Sequence, residues 1–337
     1  MYSMILGIDT SNYTTSLCLV NANGAIVREE RQLLQVDRGA RGLQQSEALF
    51  QHVKNLPLLM EKIGNLRELQ AVCVSTRPRP AEGSYMPVFL AGEGLAKSIS
   101  AALQIPFYET SHQEGHIAAG EATVFDGAAG EATDSSGSAP LADSPEFLAI
   151  HLSGGTSDLL RVKRHPVGYQ IEPMGSSVDL HAGQFVDRIG VALGLPFPAG
   201  PHLEKLASFA HENSSVRLPS PVIERFNWSF AGPETAADRL IAAGADKAAV
   251  ARAVEACIAK GLEKVIRNAM EETNLQNVLI VGGVAANLYI RKRLQRRLEH
   301  PAVKARLFFA EPRYSTDNAF GVARIGLSIR QTLLSNR

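Results

Sequence analysis

Cysteine is scarce: the 337 residues include only 3, Cys18, Cys73 and Cys257. An odd number at wide spacing argues against both a disulfide framework and a thiolate zinc site. Cys18 and Cys73 sit inside apolar runs and read as buried thiols. Charge of one sign is also missing, since the formal net charge is +0 at pH 7. The chain as a whole therefore does not advertise nucleic-acid or anionic-membrane binding, although a local patch stays open. No apolar run reaches the ~18 residues a membrane span needs. The N-terminus lacks a basic region followed by a signal-like core and cleavage site. A cytoplasmic location is expected. No Ser-His-Asp or Cys-His arrangement is visible, so no covalent enzyme intermediate is expected.

What is present is an ordinary globular composition, 45% hydrophobic and 20% charged, at a length that suggests two domains. Its most informative stretch is TSHQEGHIAAG, residues 110 to 120. If it is helical, His112 and His116 project from one face, one turn apart, with Thr110 and Ser111 able to cap the start. Two neutral imidazoles at this spacing supply half of a metal site. The same spacing also serves two histidines that merely share a partly buried face. A zinc-protease H-E-x-x-H reading fails on geometry. Gln113 follows the first His, and Glu114 lies about 200° around the helix from His112.

The start of the chain reads as strand (MILGID, ending in Asp9), polar turn, strand (SLCLV) and a third strand (AIVREE). A helical period follows over residues 47 to 63, with Pro57 marking a kink or break. AVCVST is a buried-type strand, residues 88 to 103 a helix, and IPFYET a strand leading into the His pair. Residues 120 to 145 are rich in Ala, Gly, Ser and acids and read as a linker or insertion. FLAIHLSGGTSDLLRVKR then repeats the opening layout of strand, tight turn, strand. Two such units suggest a duplicated two-lobe fold with a cleft between the lobes. The amides of Ser153, Gly154 and Gly155 can approach a phosphate, and Gly282 and Gly283 allow close approach of a ligand beside Asn287. The helix bearing Arg291, Lys292, Arg293, Arg296 and Arg297 fits a solvated face better than a nucleic-acid patch. Thr316 or Asp317 is expected to cap a closing helix.

Taken in order, GIDTS, SHQEGHIAA, LSGGTSDL, VDLHAGQFVDRIGVALGLPFPAGP, SFAGPETA, LIVGGVAAN and STDNA resemble the tRNA N(6)-threonylcarbamoyladenosine transferase family, formerly the O-sialoglycoprotein endopeptidase or glycoprotease family. The resemblance spans nearly the whole chain and marks a divergent member. It implies an α/β, two-lobed actin-like ATPase fold of the sugar kinase, heat-shock ATPase and actin superfamily, with ribonuclease H-like lobes around a cleft. The expected division is an N-terminal lobe over 1–119, a linker or insertion over 120–145, a C-terminal lobe with a helical insertion over 146–309, and a return to the first lobe over 310–337.

The resemblance further implies metal ligands at His112, His116 and Asp317, with His151 where some members have a ligating tyrosine. It places nucleotide or substrate at Ser153, Gly154, Gly155, Asp187, Gly200, Glu204, Gly282, Gly283 and Asn287. The implied cofactors are one divalent metal, iron or zinc, and ATP or threonylcarbamoyl-adenylate. The implied reaction is metal-dependent transfer of the threonylcarbamoyl group to the N6 amine of the adenosine next to the anticodon of tRNA. Protein partners of the modification system, or a homologous subunit, are implied as well. The chain departs from the family at Asn12, Tyr13 and Thr14, where SCDET is usual, and at Arg77–Pro80, where a glycine-proline-glycine loop is usual. Further departures are Thr156, Leu180, His181, Gln184 and Glu234. They leave open a non-catalytic, nucleotide- and metal-binding paralog that scaffolds or regulates a true enzyme. A metalloprotease or a phosphotransferase on the same fold are the remaining alternatives.

Overall fold

The computed structural model describes residues 3–11, 13–37, 42–125 and 141–336. Strands β1 (Met4–Asp9), β2 (Thr14–Val20) and β3 (Ile26–Leu33) form an antiparallel meander. Helix α1 (Gln45–Ile63) leads to β4 (Leu69–Arg77), which pairs parallel to β1. Helix α2 (Phe89–Leu103) leads to β5 (Phe107–Ser111), parallel to β4. The sheet order is β3-β2-β1-β4-β5. Helices on both faces explain why β1 and β4 are apolar almost throughout rather than alternating. Helix α1 continues through Pro57, which lies exposed.

Helix α3 (His112–Phe125) follows β5 directly. Residues 120–125, expected to open a linker, belong to this helix, because Gly120 lies against Val281 and Ala122 is buried. At the other end of that stretch Leu141 is buried in a short 3₁₀ turn, while 126–140 fall outside the described residues.

The layout then repeats. Strands β6 (Glu146–Leu152), β7 (Ser157–His165) and β8 (Gly168–Ser176) form a second antiparallel meander. Between β8 and the long helix α7 (Lys247–Thr273) lie α4 (Ala182–Ala192), α5 (Gly200–Ala207), a hairpin of β9 (Val222–Glu224) with β10 (Asn227–Ser229), and α6 (Ala231–Ala242). β11 (Asn277–Val281) pairs parallel to β6. Helix α8 (Leu288–Leu298) then leads to β12 (Arg306–Phe309), which is parallel to β11. The order β8-β7-β6-β11-β12 matches the first sheet strand for strand. The short α9 (Pro312–Ser315) and α10 (Phe320–Ser335) return the chain to the first sheet, where Ala319, Phe320 and Ala323 pack with Ile5 and Cys18. Neither Thr316 nor Asp317 caps α10. Asn318 Oδ1 accepts the Gly321 N–H instead (3.3 Å), which leaves Asp317 to face elsewhere.

Helices α3 and α10 fill the space between the sheets. Cys73 of the first sheet packs with Ala118, Val322 and Ile325, while Ile117 packs with Leu279 and Val281 of the second. The two helices touch backbone to backbone. A Cβ on Gly321 would sit 1.8 Å from the Gly115 carbonyl oxygen, and one on Gly7 2.4 Å from that of Ala319. Among the described residues no helix is long and apolar enough to cross a membrane.

Because Gly321 meets fixed backbone, Gly321→Ala forces the two helices apart. A loss of roughly 1–3 kcal/mol or more is expected for such overpacking. A thermal melt should fall by several degrees, and a variant that melts with the wild type would contradict this packing account.

Candidate metal and nucleotide site

The C-terminal ends of the parallel strands converge on one region, as open α/β sheets arrange them. β1 delivers Asp9, β4 delivers Ser75, β5 runs into His112, and β6 delivers His151. Ser111 and Glu114 close the start of α3 as a capping pair: Glu114 Oε2 accepts the Ser111 N–H (2.8 Å) and hydroxyl (2.7 Å), and Ser111 Oγ accepts the Glu114 N–H (3.2 Å). Glu114 is thereby turned away from the imidazoles, as its helical angle predicts.

His112, His116 and His151 are buried, and one ligand atom from each lies within 4.8 Å of the others. The facing Nε2 atoms of His112 and His116 are 3.1 Å apart. Asp317 Oδ1 stands 3.6 Å from His112 Nε2 and 3.4 Å from His116 Nε2. On its other side, His112 Nδ1 lies 3.1 Å from Asp9 Oδ2. If Nδ1 carries the proton donated to this carboxylate, the Nε2 lone pair points at the cluster, the arrangement by which a carboxylate orients a metal-binding histidine.

Asp9 is fully buried and also accepts hydrogen bonds from the Ser75 and Ser11 hydroxyls. Burial alone would raise its pKa, but the adjacent His112 and the two hydroxyls outweigh burial and hold it at about 2. Burial lowers the His112 pKa, yet Asp9 and Asp317 leave it raised overall. His116 is lowered by burial and then by the His112 charge. His151 is pushed well below the ordinary value by burial and by both neighbouring imidazoles. Both ring nitrogens of His151 and Nδ1 of His116 are buried without a hydrogen-bond partner. Neutral imidazoles with unsatisfied nitrogens, beside one carboxylate, fit a divalent transition metal in donor chemistry and burial.

Asp317 also lines a cleft of about 720 Å³ between the lobes. Of the residues expected at a nucleotide, Ser153, Gly154, Asp187, Gly200, Glu204, Gly283 and Asn287 line it. Gly155 and Gly282 do not. Gly282 adopts φ +96°, and a Cβ there would lie 2.2 Å from the Leu152 carbonyl oxygen, so backbone packing requires this glycine. The Ser153–Gly155 turn is partly closed on itself. The Ser153 N–H donates to Thr156 O (2.7 Å) and the Gly155 N–H to Ser153 Oγ (3.3 Å), so fewer amides face a phosphate than the sequence suggests.

Several polar groups here are fixed from behind. Asp187 Oδ1 accepts the Ala199 N–H (2.7 Å), and Glu204 Oε1 accepts that of Leu288 (2.7 Å). Asn287 caps α8 through the Ile290 N–H (2.9 Å) and donates to Glu255 Oε1 (2.6 Å). Burial raises Asp187 to about 6 and Glu255 to about 7.

Sequence reasoning did not single out Glu255, because it lies within a long amphipathic helix. The Asp9–His112 pair was missed because it joins the end of β1 to the start of α3, 103 residues further along the chain. Two departures from the family pattern make contacts between the lobes. Tyr13 meets Phe197 edge-on, with ring centroids 5.1 Å apart, at the cleft wall. Arg79 grips Asp158 through two hydrogen bonds (2.7 and 3.1 Å), and Gln113 Nε2 donates to the same carboxylate (3.0 Å). Glu234 pairs with Arg188 (3.1 Å), Leu180 is buried in the core, and Gln184 Oε1 accepts the His181 N–H (3.2 Å) at the start of α4. Asn12 lies outside the described residues.

Residues 39–324 match the family model for tRNA N6-adenosine threonylcarbamoyltransferase. A curated relative of that name from Thermus thermophilus is 32% identical over 295 residues, covering 86% of this chain and 84% of its own. Another, from Thermosipho africanus, is 26% identical and covers 99% and 96%. Among solved structures, the activator of 2-hydroxyisocaproyl-CoA dehydratase from Clostridium difficile, solved with bound ADPNP, superposes with TM-score 0.54 at 14% identity over 100% of this chain and 98% of its own. HypF from T. kodakarensis gives TM-score 0.58 at 14% identity, over 98% of this chain and 48% of its own. These likenesses show the two-lobed, actin-like α/β fold.

The raised Glu255 carboxyl has a measurable consequence. Its folded pKa of about 7 exceeds the ordinary 4.5, so the folded chain keeps this proton longer and stability is lost as pH rises through that window. Glu255→Gln should therefore gain roughly 1–3 kcal/mol on the wild type between pH 5 and pH 8. Urea unfolding at both pH values measures this, and a pH-independent difference would refute it.

Proposed function

The chain belongs to the tRNA N6-adenosine threonylcarbamoyltransferase family, a family of transferases, and on that premise we propose that it transfers a threonylcarbamoyl group from threonylcarbamoyl-adenylate to the N6 amine of an adenosine in tRNA. The observation that carries the reading is the buried cluster of His112, His116 and His151 sharing Asp317 with the inter-lobe cleft.

In this reading His112, His116, His151 and Asp317 hold one divalent metal, with iron or zinc as the candidates. When bound, that ion supplies Lewis acidity toward the donor's carbamoyl or phosphate oxygens. Asp9 fixes the ring of His112. The adenylate lies in the cleft, with Asp187, Glu204, Glu255 and Asn287 around its adenosine and the Ser153–Gly154 turn near its phosphate. The acceptor nitrogen forms a bond to the carbamoyl carbon, the mixed-anhydride C–O bond breaks, AMP leaves with the bonding electron pair, and the amine releases one proton to solvent. Every group in this step belongs to donor or acceptor, so no covalent enzyme intermediate is needed.

One observation favours a second reading. Tyr13 and Thr14 stand where the family resemblance expects acids, and Arg79 and Tyr13 tie the lobes together beside the cleft. A non-catalytic paralog that binds metal and nucleotide, and regulates a related enzyme, fits those substitutions.

His112→Ala combined with His116→Ala should lower bound divalent metal from roughly one ion per chain to near none. Asp9→Asn should weaken metal affinity roughly 10–100-fold. Elemental analysis and chelator competition measure both, and unchanged stoichiometry in the double variant removes the metal assignment.

Incubation of the protein with threonylcarbamoyl-adenylate and unmodified tRNA should yield the modified adenosine, detected by mass. No product, with metal and adenine nucleotide still bound, points to the regulatory paralog.

A further inference from the structure

A second cavity, of about 640 Å³, opens in the C-terminal lobe along α7. Ala249, Ala253 and Ala256 form its floor, one face of α7, and small side chains there leave the space open. Residues 208–220 form one wall, and Tyr289 and Arg293 of α8 another. Arg217, Arg252, Lys260 and Arg293 line it together with Glu212, and Arg252 is paired with the buried Glu255 (2.5 Å). Arg252 lies over the Tyr289 ring, 4.2 Å from its centroid.

The same helical face continues beyond the cavity. Lys260, Lys264 and Arg267 follow at i, i+4 and i+7, one stripe at helical spacing. All three are exposed, as are Arg217 and Arg296. None of these five makes an ion pair among the described residues; Arg217 donates only to the carbonyls of Ser214 and Val216. Alongside, Glu263 serves two guanidiniums, Arg297 at 2.9 Å and Arg293 at 3.7 Å, so that grouping keeps excess positive charge. From Ala249 to Arg267 the face runs about 27 Å, at about 1.5 Å per residue. In a chain of formal net charge +0, this is a local concentration of one sign. By contrast, Arg291, an equal member of the basic run in sequence, turns inward to the carbonyls of Ala285 and Ala310.

We infer that the α7–α8 face, from the cavity to Arg267, docks the phosphate backbone of the RNA acceptor. The inference rests on the proposed transfer reaction for the identity of that RNA. A row of unpaired cations at helical pitch matches a polymer with one charge per nucleotide, and such contacts position nucleic acid without reading its sequence. Arg252, held by Glu255 and lying over Tyr289, presents a planar guanidinium–aromatic pair in the cavity on which an unpaired base can stack.

The test uses the full chain with a fluorescent, unmodified tRNA transcript, titrated at several salt concentrations. Lys260→Ala, Lys264→Ala and Arg267→Ala together should weaken binding tenfold or more at low salt. The slope of log affinity against log salt should flatten by roughly two to three, near one per lost phosphate contact. ATP binding in the cleft should stay as in the wild type. A thermal melt checks folding, and Arg217→Ala, on an exposed loop, gives an independent reading with a smaller loss of affinity and slope. Wild-type affinity and slope in both variants would overturn the inference. Equal binding of polyglutamate and tRNA by the wild type would also overturn it, in favour of an acidic protein partner. A wild type that binds tRNA through this face yet transfers nothing refutes the reaction and leaves the docking face standing. Variants that bind and modify tRNA like the wild type refute the face alone.

Discussion

Helices α3 and α10 approach so closely at Gly115 and Gly321 that no side chain fits between them. That contact sets the position of Asp317 relative to His112 and His116. α3 begins with His112 and His116, and Asp317 lies just before α10, so pressing the two helices together brings the carboxylate within 3.4–3.6 Å of both imidazoles. The same pair of helices packs against both sheets, which makes the site a property of the junction rather than of either lobe. Backbone contact tolerates little adjustment, because a rigid carbonyl cannot move aside as a flexible side chain can.

Around that junction the polar groups are held in unequal protonation states. Asp9 stays ionised inside the protein because His112, Ser75 and Ser11 all favour its charge. His116 is lowered by burial and by His112, and His151 is pushed well below the ordinary value by burial and by both neighbouring imidazoles. An arrangement with one oriented imidazole, two neutral ones and a nearby carboxylate stores unsatisfied buried nitrogens, a costly state unless a ligand completes it. The neighbouring cleft carries two carboxyls of raised pKa, Asp187 and Glu255, each held by hydrogen bonds at its back. Rigid positioning of this kind favours a ligand whose hydroxyls and ring nitrogens meet fixed partners.

The departures from the family pattern share a physical theme. Tyr13 packs on Phe197, and Arg79 forms a forked ion pair with Asp158 that Gln113 reinforces. Both tie one lobe to the other near the cleft. Arg79 is not available to a nucleic-acid partner, because its guanidinium is engaged with a buried carboxylate. The exposed cations of α7, which form no named motif, remain free for that task.

The sequence by itself determined the local features: strand and helix periods, the paired histidines one turn apart, the repeated strand-turn-strand opening of each half, and the ordered motifs that mark the family. These depend on neighbours within a few residues, and the period of the backbone reports them directly. Pro57 left a kink and a break both open, and the helix runs on through it without a break. Glycine was equally ambiguous: Gly283 lines the cleft as its motif suggests, while Gly282 is required by the neighbouring strand turn. Only the tertiary structure decided that Asp9 orients His112, that Glu255 faces the cleft, that Arg79 closes on Asp158, and that Arg291 points inward while Lys260 does not. Each of these joins residues distant along the chain, through strand order and helix packing. Such pairings are set by how whole faces are buried together, a quantity that no local stretch of sequence contains.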